Sequence, residues 1–305
     1  MPLISLSIKL VDNRKVIDFM HSVTFWNIRK GAGGPDPVVQ LAMQVANDTT
    51  LSGENGEAII CLAEPGSIDT SALLDSLHSE DPKRNWWVHR PSSDRFVLLG
   101  TINRASIRDG SEAGGGAAFI VTRMNEHQPL AYQLFFVHLA SPLGAGNATS
   151  HSIQTAAGLR IAIEKHEAQE ASGDSLVIGD FNMRPYDEGM VIPLGLHAAP
   201  CKHAASKPRI IDGVTHSYFY NPMWELLGNW SKSKQPGTFY WPNKTDSVRW
   251  HLIDQVIIRP AFAKKLTTGI PHIHTKVGSI SLLSEKGVIR KQISDHLPLT
   301  ISLSI

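Results

Sequence analysis

Eight short apolar runs limit what this chain can fold into: VTFWN (23–27), AIICLAE (58–64), FVLLGTI (96–102), AAFIVTRM (117–124), AYQLFFVHLA (131–140), SLVIGDFN (175–182), LIDQVIIR (252–259) and HLPLTISLS (296–304). Each is rich in β-branched and aromatic residues and bordered by turn-forming ones, a pattern that favours strands over helices. Three stretches predict helices: DPVVQLAMQVAN (36–47), DTSALLDSLHS (69–79) and SHSIQTAAGLRIAIEKHEAQEA (150–171). In the last, Ile153, Ala157, Leu159 or Arg160, Ile161 and Glu164 fall at helical offsets, with a Ser cap before them and Gly173 just after. Strands between 96 and 140 follow one another without a helix, which argues for mixed sheets with outer helices over an all-parallel sheet. ASIRDGSEAGGG (105–116) reads as a polar connection, and 197–250 as a long irregular region whose aromatics mark it as ordered and functional.

At 305 residues and 42% hydrophobic content, the chain can bury a large core, and no shift in composition divides it. One domain over 23–305 is expected, with 1–22 as an N-terminal extension of unassigned role. The 29 basic and 28 acidic residues leave a net charge of +1, which excludes the global basicity of a histone-type binder, so any polyanion site must be local. Cys61 and Cys201 form no CxxC pair, so neither a disulfide framework nor a zinc knuckle is indicated. Residues 1–23 mix charges throughout and lack a secretory h-region, and no window reaches the roughly 18 apolar residues of a membrane span. A soluble, cytoplasmic protein is expected.

The polar residues at the borders of these runs carry the chemistry. In VIGDFN, a strand would send Asp180 and Asn182 to one face and Phe181 to the other. A plain turn favours Asp and Asn as well, so this pair alone decides little. The pattern recurs, however: Asn27 ends VTFWN, Glu64 ends AIICLAE, His138 lies late in AYQLFFVHLA, Asp254 sits within LIDQVIIR, and Asp295 and His296 precede the final run. A charge embedded in apolar sequence is costly to bury without a partner or metal. Such a set supplies oxygen ligands, carboxylates that can orient water and imidazoles that can meet phosphate. Oxygen donors and only two cysteines favour Mg²⁺ or Mn²⁺ over structural zinc.

In this order, Asn27, Glu64, His138, GDFN (179–182), Asp254 and SDH (294–296) resemble the endonuclease/exonuclease/phosphatase superfamily, related to DNase I and the exonuclease III type of abasic-site endonucleases. The resemblance spans residues 23 to 305 and implies a four-layer α/β/β/α sandwich, two mixed β-sheets face to face with helices outside. It implies Glu64 as principal metal ligand, with Asn27 beside it and Asp295 near the metal. By the same resemblance Asp180 orients and deprotonates the attacking water, and Asn182 hydrogen-bonds phosphate or nucleophile. His296, oriented by Asp254, stabilises the phosphorane, and His138 contacts phosphate or assists the leaving group. Abasic-site endonucleases usually place a Tyr where this chain has VHLASPLGAGN; His138 is closer to the DNase I, phosphatase and sphingomyelinase branches. Gln255 stands where many relatives have an aromatic.

Outside this set, RKGAGGPD (29–36) lacks a P-loop pattern and reads as a turn, although Arg29 and Lys30 follow Asn27 closely enough to reach substrate phosphate. CKHAASKPR (201–209) reads as a solvated basic loop. WSKSKQPGTFYWPNKTDSVRW (230–250) has the composition of a surface that meets phosphates and stacks bases, or of a loop packed by its own aromatics. Arg184 and Tyr186, just after GDFNM, are further rim candidates. The expected activity is metal-dependent phosphodiester hydrolysis, with DNA or RNA as substrate. The alternatives are a phosphatase or phosphodiesterase for a small phosphorylated metabolite, inositol phosphate or phospholipid headgroup, and a catalytically silent binding protein on the same fold.

Overall fold

Alternation of apolar side chains along the strands decides the layers of this protein. The computed structural model describes residues 20–124, 129–142, 146–228, 237–242, 247–265, 267–268 and 270–304. Its main elements are β1 (Met20–Asn27), α1 (Asp36–Asn47), β2 (Ala58–Ala63), α2 (Thr70–Glu80), β3 (Trp87–His89), β4 (Phe96–Gly100), β5 (Ile107–Ala113), β6 (Gly116–Met124), β7 (Pro129–His138), α3 (Ala148–Gln169) and β8 (Ser175–Asp180). There follow β9 (Ala198–Ala199), β10 (Phe219–Tyr220), β11 (Asp254–Ile258), β12 (Thr267–Thr268), β13 (His272–Ile273) and β14 (Leu299–Ser304).

Two seven-stranded mixed sheets result. The first runs β12-β14-β1-β2-β4-β3, with β13 also on β14; the second runs β5-β6-β7-β8-β11-β10-β9. Strands β1 and β2 are parallel, as are β7 and β8, while β14 is antiparallel to β1 and β11 to β8. This orientation brings the C-terminal ends of β1 and β2 to the same edge as the start of β14, and likewise those of β7 and β8 to the start of β11.

Side chains two apart share a face, so each strand serves two cores. Val23, Phe25, Cys61 and Phe96 of the first sheet meet Leu134, Phe136, Ile178 and Val256 of the second. On the outer face of the first sheet, Ile60, Leu62, Val97 and Leu99 pack on Leu41, Val45, Leu73 and Leu77 of α1 and α2. Phe135, Val137, Val177 and Ile257 of the second sheet cover Ala156, Leu159 and Ile163 of α3. The expected α/β/β/α sandwich is therefore present, with one helical layer on each outer face.

Local details depart from the sequence reading. The chain enters β1 at Met20, inside the expected extension, of which residues 1–19 lie outside the described residues. Residues 107–113, read as a connection, form β5, an edge strand with Ile107 buried and most other side chains in water. Its register slips between Asp109 and Glu112 before Gly114 and Gly115, both at positive φ, turn the chain into β6. Such charged, bulged edges resist pairing with other chains and leave no apolar periodicity to read. Helix α3 is capped by Asn147, which accepts from the Ser150 N–H, and its left-handed exit residue is Ala171 rather than Gly173. Its buried face is Ala156, Leu159, Ile163 and His166, whereas Ile161 is 58% exposed. Of 230–250, residues 230–236 and 243–246 lie outside the described residues; the rest forms a two-stranded hairpin, Phe239–Tyr240 with Trp250–His251.

Candidate active site

The inter-sheet core ends in polar side chains at one edge. Along the inward face, Val23 and Phe25 lead to Asn27, Leu134 and Phe136 to His138, Leu176 and Ile178 to Asp180, and, read backwards, Ile258 and Val256 to Asp254. Asp180 is in register with both His138 and Asp254. The polar residue is thus the next member of each buried period-2 series, placed by the sheet itself. Glu64 follows β2 at φ 49 and Asn182 follows β8 at φ 51, both left-handed conformations uncommon for residues with side chains. The chain therefore turns at Asp180, so Asn182 is placed by a turn rather than by strand alternation, while Phe181 enters the outer core as expected.

Seven of the predicted residues converge. Asn27 Nδ2 lies 3.4 Å from both Glu64 Oε1 and Asp180 Oδ2. His138 Nε2 is 3.3 Å from Glu64 Oε1 and 3.9 Å from Asp180 Oδ2, and His296 Nε2 reaches the same Asp180 oxygen at 3.8 Å. His296 Nδ1 bonds Asp254 Oδ2 at 2.8 Å. Asp180 Oδ1 accepts the Asn182 N–H at 2.8 Å, and Asn182 Nδ2 donates to the Leu139 carbonyl at 2.8 Å. Asp180, Asp254, His296 and Asn27 are buried, while the Glu64 side chain is 33% exposed. The group is therefore solvent-accessible from the Glu64 side and closed from the core.

Asn27 lies beside Glu64, as expected, and its neighbours orient its amide. Its Oδ1 accepts the Arg29 N–H at 3.1 Å, which turns its amide nitrogen, a donor, toward the two carboxylates. In this arrangement it positions Glu64 and Asp180, and ligation would require the amide to turn over. Asp295 sits 3.7 Å from Arg29 Nε at the rim. Arg29 also donates to the Lys291 carbonyl, whereas Lys30 is exposed and its backbone carbonyl faces Gly66. Arg184 pairs with Asp187 and lies 5.0 Å from the centre of the Tyr186 ring, which is 42% exposed. Among the described residues, the side chains of Asp295, Arg29, Lys30, Arg184 and Tyr186 make no hydrogen bond or ion pair with the converging group.

Electrostatics separate the two central groups. Burial opposes charge on His296, but the Asp254 and Asp180 carboxylates and the Asp254 hydrogen bond outweigh it and push the imidazole up to about 10. Burial, helped by Asp254 and opposed by His296, raises Asp180 to about 7. Burial lowers His138, with the Arg95 and His296 charges acting the same way against the pull of Glu64. Ligand atoms of Asp180, Asp254 and His296 lie within 4.8 Å of one another. A protonated imidazole cannot ligate a cation, so these three handle protons and charge better than a metal. Glu64 is the accessible carboxylate beside them. Its oxygens, linked to Asp180 through the Asn27 amide, match a hard cation that uses one or two protein carboxylates.

Several residues that hold this group were given no role in the sequence reading. Ser294 Oγ donates to the Asn27 carbonyl at 2.6 Å and accepts the His296 N–H at 3.0 Å, and Trp26 Nε1 donates to the His296 carbonyl at 3.0 Å. Phe239 lies 4.9 Å from the His296 ring, centre to centre, and stacks on Trp241, which is 40% exposed. Gln255, fully buried, donates to the Met183 carbonyl at 2.6 Å and accepts from Asn221 Nδ2 at 2.9 Å. That bond explains the amide where an aromatic is usual: it ties the turn after Asp180 to the chain near β10. Most of these contacts involve a backbone atom, which leaves no residue-type pattern to find.

No family model matches the sequence, and no curated protein matches it. Solved structures do. The human Nocturnin catalytic domain with bound sulfate anion aligns with a TM-score of 0.51 at 14% identity, covering 94% of this chain and 95% of that one. An endonuclease/exonuclease/phosphatase family protein from Bacteroides thetaiotaomicron aligns at 0.50 and 12% identity, over 94% and 98% of the two chains. D. rerio TDP2, humanized by 14 mutations, gives 0.49 and 15% over 94% and 99%. At 12 to 14% identity the first two matches speak to architecture, and in architecture the chain has the DNase I-like fold of the endonuclease/exonuclease/phosphatase superfamily.

Proposed function

We propose that the protein is a divalent-metal-dependent phosphodiester hydrolase whose substrate is a nucleic acid. The observation that carries this is the pairing of a buried carboxylate, Asp180, with a His296 ring held protonated by Asp254, 3.8 Å apart at the mouth of the inter-sheet core. Asp180, as carboxylate, accepts a proton from the water that attacks phosphorus in line, while the P–O bond opposite breaks and its electron pair leaves on the ester oxygen, which takes a proton from solvent. His296 donates to a non-bridging oxygen as negative charge gathers there, and Asp254 keeps its ring oriented. Asn27 and Asn182 hold Asp180 from two sides, and His138 meets the phosphate beside Glu64. Glu64, with Asp295 at the rim as a further carboxylate, would hold Mg²⁺ or Mn²⁺, which supplies charge neutralisation at the phosphate when bound. Trp241 and Tyr186 offer exposed rings beside cationic side chains, the surface that an unpaired base stacks on. The Nocturnin domain of the same fold carries sulfate, an anion with the shape of a phosphoester.

The net charge of +1 favours a second reading, a small phosphoester as substrate, since global attraction to a polyanion is weak. Purified protein with Mg²⁺ should cleave plasmid, single-stranded DNA or RNA faster than a panel of small phosphoesters. Asp180→Asn and His296→Ala should each lower kcat by at least ~10²-fold. Preferential turnover of a small ester would replace the nucleic-acid reading. Hydrolysis unchanged in both variants would remove the site assignment.

A further inference from the structure

The two sheets are bridged at the mouth of the site by an exposed side chain, Arg95, to which the hydrolytic reading gives no role. Arg95 lies just before β4 in the first sheet, and its carbonyl accepts the Glu64 N–H at 3.1 Å. Its guanidinium donates to the His138 carbonyl at the end of β7, in the second sheet. On the pocket side, His138 Nε2 returns to Glu64 Oε1 at 3.3 Å, closing a ring of three residues across the seam. The peptide that Arg95 grips is a junction. The next residue, Leu139, donates its N–H to the Asp180 carbonyl at 2.9 Å and accepts from Asn182 Nδ2 at 2.8 Å.

We infer that Arg95 is a positioning residue that sets the gap between Glu64 and His138 and, through Leu139, the placement of Asp180 and Asn182. Glu64 occupies a left-handed backbone conformation, which persists only where the surroundings over-determine it, and the Arg95 carbonyl is one of its restraints. The guanidinium is suited to the other end of the tie. It is always charged, planar and rigid in its donor directions, so it fixes the orientation of a carbonyl that a lysine ammonium would only attract.

Only the kinetic half of the test rests on the proposed hydrolysis. Arg95→Ala and Arg95→Lys are compared with wild type by amide hydrogen exchange in metal-free protein and by steady-state kinetics on the best phosphoester. In Arg95→Ala the amides of Glu64 and Leu139 should exchange about tenfold faster while Ile301 in β14 is unaltered. The kcat should fall about tenfold or more with KM within about twofold, and millimolar guanidinium should restore part of both losses. Arg95→Lys should resemble Arg95→Ala, and it carries the exchange comparison should the alanine variant unfold. Unchanged exchange at Glu64 and Leu139, or a raised KM with kcat intact, overturns the inference. If wild type hydrolyses no phosphoester, the functional proposal falls, and the exchange data still decide the role of Arg95.

Discussion

His296 keeps its proton because two buried carboxylates face it, and that fixes the pH behaviour expected of the site. Asp180, raised to about 7, becomes a competent base as pH rises through that value, while His296 remains an acid until about 10. Activity should therefore climb through about 7, hold, and fall toward 10, a bell readable in kcat against pH. Asp254→Asn removes the charge and the orienting acceptor together. Its alkaline limb should move to lower pH and its kcat fall by at least ~10-fold, measured in the same profile. Asn27, Glu64, His138, Asp180, Asp254 and His296 were all legible in the sequence, because a polar residue bordering an apolar run contradicts its context. Arg95 was not, being an ordinary exposed cation, and Gln255 was noted only as a departure, its hydrogen bonds to Met183 and Asn221 being invisible beside a more conspicuous Asp. The direction of the Asn27 amide was equally hidden, because it depends on a backbone N–H two residues away.

Gly179 in VIGDFN takes φ 155, a conformation that turns the place of a side chain against its ladder partner Val137 in β7. A Cβ on Gly179 would lie 2.0 Å from the Val137 carbonyl oxygen and 2.8 Å from its side chain. Gly179→Ala must push apart the two strands that carry His138 and Asp180, at a cost of about 1–3 kcal/mol. The urea midpoint should drop, and kcat should fall as well because Asp180 is the next residue. An unchanged midpoint would mean that the strands yield freely. At this scale the sequence was most informative where elements are buried: the runs that carry Asn27, Glu64, His138 and Asp180 end within two residues of the observed strand ends. It failed at β5, which is held by backbone pairing on an exposed edge, and at the face of α3. There, Ile161 continues the apolar pattern into solvent and the true contact stripe includes His166. Which strands neighbour one another, and hence which sheet carries which site residue, is set by long-range packing that no local window contains.

Across the whole molecule, two buried histidines outside the site tie stability to pH. His274 Nδ1 accepts from Gln44, whose own carbonyl oxygen is occupied by the Gly278 N–H, and Nε2 contacts Thr300 Oγ1 at 2.8 Å. A second ring proton would point at the Gln44 amide. Burial, with His272 adding to it, lowers His274 to about 3, and burial with the Arg123 charge does the same to His21. Both rings thus stay neutral in the fold while the unfolded chain protonates them near 6.5. The unfolded state binds more protons throughout that interval, so stability is full above about 6.5 and is lost as pH falls toward 3. Each histidine contributes up to ~1.4 kcal/mol per pH unit. Urea midpoints at pH 7.5 and 5 should differ in that sense, and His274→Gln should shrink the difference.

Because Phe25, Phe136, Ile178 and Val256 stand directly behind Asn27, His138, Asp180 and Asp254 on the same faces, their bulk acts as a gauge block between the sheets. The width of the cleft is thereby written into hydrocarbon volume one same-face strand position below the polar side chains. Evolution can open or narrow it by exchanging one aliphatic residue for another, leaving every acid, base and ligand untouched.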